Sequence, residues 1–426
     1  MMRIEALVKD VPLPRIVKVR QKFPATPPLD VEKAVERELS RPEIAARVKK
    51  GQRIAVGVGS RGVASIDRMV RGVVRKLKDL GAEPFIVPAM GSHGGATDAG
   101  QANVLAHLGI TEATVGAPVR SSMETVTLSR SPSGVTVYFD KTAYEADAIV
   151  PINRVKLHTA FRGPVESGLL KMLAIGFGKH KGADSIHALG FDRFGTLIPE
   201  IGRHILDRTR VIFGVASVEN SREQPAIIKA VPAERFEEEE QTLLEESKRL
   251  MARILFPKLD VLVVGELGKN ISGDGMDPNV TGRYLSYLGT AEPYVQKIAV
   301  LDLTDETYGN ALGIGMADVT TRRAADKIDF YPMYVNALTS RILTGARVPL
   351  TVETDRDAVA LALASCFGVE PGKQRAMFIQ NTLKLEQVYI SEALLEQARS
   401  MDSVEVLSEP FALPFASDGT LNLDFE

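Results

Sequence analysis

The chain has 426 residues, a formal net charge of −2, 45% hydrophobic and 25% charged residues, so it is long enough for two globular domains and shows no overall basic bias toward nucleic acid or anionic membranes. One cysteine, Cys366, excludes an intrachain disulfide framework, a four-cysteine zinc site and an iron–sulfur cluster held by the chain alone. Small-molecule chemistry by a cytoplasmic protein is the expectation.

The opening stretch, "MMRIEALVKDVPLPRIVKV", interrupts its apolar residues with charge and proline, which argues against a signal-peptide core. No stretch approaches the ~20 apolar residues of a membrane-spanning helix. "QRIAVGVGSRG" then reads as a buried strand entering a glycine turn, and "SIDRMVRGVVRKLKDLG" follows with helical spacing and a glycine stop. The next unit repeats this order, with a strand at 85–89, the loop "MGSHGG", and a helix capped near Thr97 or Asp98. "VTVYFD" and "ADAIVPINRV" are two further strands. This alternation predicts an α/β fold with largely parallel sheets.

Residues 233–255 form an amphipathic helix with Phe236, Leu243, Leu244, Leu250, Met251 and Ile254 available for burial, and its acidic run reads as a solvated face. A second α/β series begins at "KLDVLVVGELG". We therefore expect two α/β domains, 1–255 and 256–426, the second closing an interdomain active-site cleft.

Residues 153–187 concentrate the unusual chemistry, with His158, His180, His187 and four lysines around the apolar "LLKMLAIGF". An unpaired buried ammonium is costly, so Lys171 either reaches solvent or has chemistry to do. Glycine and serine at 167, 168 and 178 would leave room beside it if the segment is helical. The loop "GSRG" at 59–62 offers Ser60 and the Arg61 guanidinium to an anion, and the glycines around His93, including Gly94, let a ligand approach the backbone. Each loop alone also fits an ordinary tight turn.

Together, "GSH" after a strand and the spacing of His158, Lys171 and His187 resemble the nickel-pincer-nucleotide-dependent lactate racemase superfamily. The sixteen-position interval from Lys171 to His187 is the specific part of the likeness. The resemblance implies a nickel pyridinium bisthiocarboxylate mononucleotide attached covalently through Lys171, with His187 as a nickel ligand, supplied by cofactor-synthesis proteins. It further implies that Ser60, Arg61 and Gly94 contact cofactor or substrate oxygens, and that His93 and His158 are acid/bases on opposite faces of a 2-hydroxy acid. One histidine would take the hydroxyl proton as hydride leaves C2, and return of both to the other face would invert the centre. Lys269 and Asn270, in "GELGKNISGDGMDPNVTGRY", are expected to meet the substrate carboxylate.

Three departures bear on the substrate. Val58 stands where the family carries an acidic residue, "SGLLKM" replaces a "GGRKS" context, and the chain has no tryptophan. A 2-hydroxy acid other than lactate is expected. Two other readings compete with racemisation: a hydrolase or lyase holding a divalent metal on His93, His158 and His187, and a non-catalytic protein that binds or delivers the cofactor.

Overall fold

The computed structural model describes residues 5–60 and 62–425. The first strand, β1 (Ile16–Gln21), pairs antiparallel with two strands from the far end of the sequence, β14 (Gln387–Ser391) and β15 (Val404–Val406). Residues through Pro24 accordingly join the chain from Ala252 onward in one compact unit, and Ala25–Met251 forms the other. An N-terminal domain beginning at residue 1 is thus corrected: Ile16, Val17 and Val19 are fully buried, and the partners of their strand lie some 370 residues downstream, beyond any local pattern. The long acidic helix ends at Leu250 rather than 255, with extended backbone at Met251 and a buried Ile254 beyond it.

Unit Ala25–Met251 is built on β2 (Arg53–Val58), β3 (Glu83–Pro88), β6 (Ala148–Arg154), β7 (Phe213–Glu219) and β8 (Pro225–Pro232), in the order β3-β2-β6-β7-β8. All neighbours are parallel except β7 with β8. These strands carry near-continuous apolar runs because both sheet faces are covered. Alternate residues feed different cores: Ala55, Phe85 and Ile149 face one cluster, and Ile54, Val56, Ile86 and Val150 the other. Helix Ile66–Asp79 packs on the second with Met69, Val70, Val73 and Leu77. "VTVYFD" does form a strand, β5 (Thr136–Asp140), but it pairs only with β4 (Thr125–Arg130) in a separate hairpin.

The other unit carries an eight-stranded sheet among the described residues. Its parallel part comprises β9 (Lys258–Leu267), β10 (Tyr294–Leu303), β11 (Val319–Thr321), β12 (Leu350–Val352) and β13 (Ala376–Ile379). The chain is an α/β protein with mainly parallel sheets. No helix among the described residues is long and apolar enough to cross a membrane.

Candidate active site

Three neighbouring parallel strands, β3, β2 and β6, release the loops that carry His93, Ser60 and His158 from their carboxyl ends. The chain leaves β2 toward β3 and returns to β6 on the other side, so this edge is a switch point of the kind at which open α/β sheets bind ligands. Buried Glu219, at the end of β7, fastens two of these loops. It accepts the Ala64 N–H at 2.7 Å and pairs with Arg154. Ser60 is half-buried in the first loop, and Arg61 lies outside the described residues.

His158 is held through its backbone and its ring. The buried Glu166 carboxylate accepts the His158 N–H at 2.7 Å, and Arg162 donates to the His158 carbonyl at 2.7 Å. The Ala160 N–H lies 3.0 Å from His158 Nδ1. A backbone N–H can only donate, so Nδ1 is unprotonated and the neutral ring carries its proton on Nε2. Burial pulls the imidazole well below its usual pKa, and the cations of Lys171 and Lys156 act in the same direction.

Lys171 closes one helical turn, Leu169–Lys171, which widens into a π-type turn over Met172–Gly176, with Phe177 N–H reaching the Met172 carbonyl at 2.9 Å. Such bulges often mark functional sites. Burial first, then nearby Lys156, pull the half-buried Lys171 ammonium from its usual 10.5 to about 8. About a tenth is therefore free amine at pH 7, far more than for an ordinary lysine. His187, at the end of helix Lys179–His187, has its Nδ1 2.6 Å from the Ala183 carbonyl. A carbonyl can only accept, so Nδ1 carries the proton and Nε2 the lone pair, the tautomer in which histidine ligates metals. Phe191 lies beside both rings, tilted 6.0 Å from His158 and edge-on 5.5 Å from His187 between centroids.

The turn that carries Lys171 is anchored by Glu240, a residue from the acidic run. Its carboxylate accepts the N–H groups of Leu169 and of Leu170, the latter at 2.9 Å. Glu239 and Glu240 are buried, which corrects the expectation that this run is a solvated face. Gly168 is required here, because a Cβ would meet Glu240 Oε1 at 1.8 Å. Burial pushes the Glu240 carboxyl from 4.5 up to about 7. The folded chain then binds the proton more tightly, so this group's stabilising contribution is complete below about pH 4.5 and is lost as pH rises through 7. Glu240→Ala strands two buried donors and is expected to cost about 1–3 kcal/mol, read from urea unfolding. A variant as stable as the parent would contradict the anchoring role.

His93 is exposed in the loop after β3. That loop abuts the Lys171 segment: Gly91 N–H donates to the Gly176 carbonyl at 3.1 Å, and a Cβ on Gly91 would lie 3.6 Å from Ala183 Cβ. Gly94 has a left-handed φ of 66°, and its Cβ would collide with Gln101 N at 2.6 Å. Close packing on the following helix therefore demands this glycine, whatever a ligand requires.

Residues 59–235 match a family described as a domain of unknown function, DUF362. No curated protein matches. Among solved structures, a structural-genomics protein from Thermotoga maritima aligns at 16% identity with a TM-score of 0.49, over 65% of this chain and 72% of its own. The lactate racemase apoprotein of Thermoanaerobacterium thermosaccharolyticum aligns at 15% identity with a TM-score of 0.44, over 81% of this chain and 80% of its own.

The Ala25–Met251 unit thus gathers Ser60, His93, His158, Lys171 and His187 on adjoining segments. Lys269 and Asn270 belong to the other unit, in the loop after β9. Lys269 Nζ donates to the Gly273 carbonyl, and Asn270 Oδ1 accepts from Thr304 Oγ1 at 2.7 Å, tying together the loops that leave β9 and β10. Among the described residues, no group of three or more His, Cys, Asp or Glu side chains is arranged to hold a metal ion. Glu166, Phe191 and Glu240 were not marked by the sequence reading. Glu240 had a signal: it stands four residues after Phe236 and three and four before Leu243 and Leu244, within the apolar stripe.

Proposed function

We propose that this chain is an isomerase that racemises or epimerises a 2-hydroxy acid, using a nickel-pincer nucleotide attached to Lys171 and ligated by His187. The observation that carries this reading is the complementary preparation of two side chains sixteen positions apart. Lys171 has an ammonium pulled down to about 8, which brings its free amine within reach near neutrality, and His187 donates Nδ1–H to Ala183, which leaves the lone pair of the neutral ring on Nε2. A covalent tether needs the first and a soft metal–imidazole bond the second. The residues therefore fit the group that the sequence resemblance implies.

When bound, the cofactor supplies a site that accepts and returns the C2 hydride. The chain supplies the rest. His93 and His158, on separate loops, are the acid/bases that exchange the hydroxyl proton, each on its own face of the substrate, and His158 starts with its proton on Nε2. Ser60 and Arg61 serve the cofactor or substrate oxygens. A divalent-metal hydrolase would need converging protein ligands, and a cofactor carrier would need no acid/base histidines.

Intact mass and nickel content, measured on protein made with and without the cofactor-synthesis machinery, test this reading. His187→Ala is expected to lose nickel and retain the organic adduct. Full nickel occupancy in that variant would end the ligand assignment.

Val58 is buried within an apolar cluster, so no carboxylate serves the substrate from that position. Phe191 adds an apolar, half-buried surface beside both imidazoles. We expect kcat/KM for lactate to fall at least about tenfold below that for 2-hydroxy acids with larger apolar substituents. Equal values across the series would refute this specificity.

A further inference from the structure

Three polar residues with no solvent exposure lie between the His93 loop and the Lys171 segment: Gln101, Asp140 and Lys179. Lys179 Nζ is 2.8 Å from Asp140 Oδ2, and donates to the Pro88 carbonyl at 2.5 Å and to Gln101 Oε1 at 3.2 Å. Gln101 Nε2 in turn donates to the carbonyls of Gly91, at 2.8 Å, and His93, at 3.3 Å. Asp140 completes the connection, its N–H reaching the Phe177 carbonyl at 2.7 Å.

These bonds grip the His93 loop at both ends, at the exit of β3 and at His93 itself. They fasten it to the residue that begins the His187 helix. Lys179 does this from a left-handed backbone, φ 54°, which a non-glycine residue holds only where its surroundings fix it. Stability alone does not account for the arrangement, because a buried ion pair can often be replaced by neutral groups of similar shape without loss. Its distinctive property is directional.

We infer that Lys179, acting through Gln101, is a positioning residue that sets His93 against the segment carrying Lys171 and His187. The inference rests on the catalytic reading of His93 given above.

The test is the double variant Lys179→Met with Asp140→Asn, which neutralises both partners, and Gln101→Met as a second variant should the first fail to fold. Amide hydrogen exchange of the apoprotein is expected to accelerate at least about tenfold in residues 91–101, while the sheet amides stay protected. In protein made with the cofactor machinery, the Lys171 adduct should form in full. The value of kcat should fall at least about tenfold with a smaller change in KM, as befits lost alignment rather than lost binding. Parent-like protection of 91–101 would overturn the inference, as would a loosened loop with unchanged kcat. If the parent turns over no 2-hydroxy acid, the isomerase reading fails and the assignment of His93 falls with it. The exchange measurement still reports separately whether the strut holds the loop.

Discussion

Lys171→Ala is expected to abolish the covalent mass increment and all cofactor-dependent turnover, while the fold survives. The side chain is only half-buried and its charge is disfavoured where it stands, so truncation removes an electrostatic cost along with its packing. Because the ammonium falls to about 8 in the folded chain from a usual 10.5, the unfolded chain binds more protons between those values. The parent therefore gains stability from this group as pH rises from about 8 to about 10.5, and the variant should lose that rise. A second readout needs no cofactor. Lys171 is the leading cation depressing His158, so the His158 pKa, followed by NMR, should move upward in Lys171→Ala yet stay below normal because burial persists. An adduct that survives in Lys171→Ala would place the tether elsewhere.

Legibility in the sequence followed the range of the interactions. Strands β2, β3 and β6 were legible because parallel strands buried on both faces write continuous apolar runs, and the Thr97 cap because Thr97 accepts from the Gly100 N–H within one turn. β1 was not, since its pairing with β14 is set by chain that follows far downstream. The same holds for the candidate site. His158, Lys171 and His187 share one stretch and announce themselves by residue type, whereas Glu240 reaches the Lys171 turn across 70 residues from a run of four consecutive glutamates that residue type does not tell apart. Lys179 was visible only as one lysine among four, because its role depends on Asp140, Pro88 and Gln101, all outside its own helix.

Hydrogen bonding adds what residue identity could not: the histidines are not interchangeable. His187 offers Nε2 as a lone pair, and His158 offers Nε2 as a donor. To accept a substrate proton on Nε2, His158 must first exchange its Nδ1 bond with Ala160 and change tautomer.

His93→Ala and His158→Ala are each expected to lower net racemisation by about 10²–10⁴ in kcat, the range for a lost acid/base. Each enantiomer exchanges its hydroxyl proton on a different face, so each variant should still reduce the cofactor with one enantiomer. In single turnover the two variants should then show opposite stereochemical preferences. His158→Gln separates donation from proton transfer, since its amide can supply an N–H where Nε2–H stood but cannot accept a proton. Because His158 transfers a proton, the glutamine variant is expected to be as inactive as the alanine variant. A glutamine variant that recovers much of the rate would instead make His158 a neutral donor, the role that its Ala160 contact favours in the apoprotein. Variants that react equally with both enantiomers would remove the two-sided mechanism altogether.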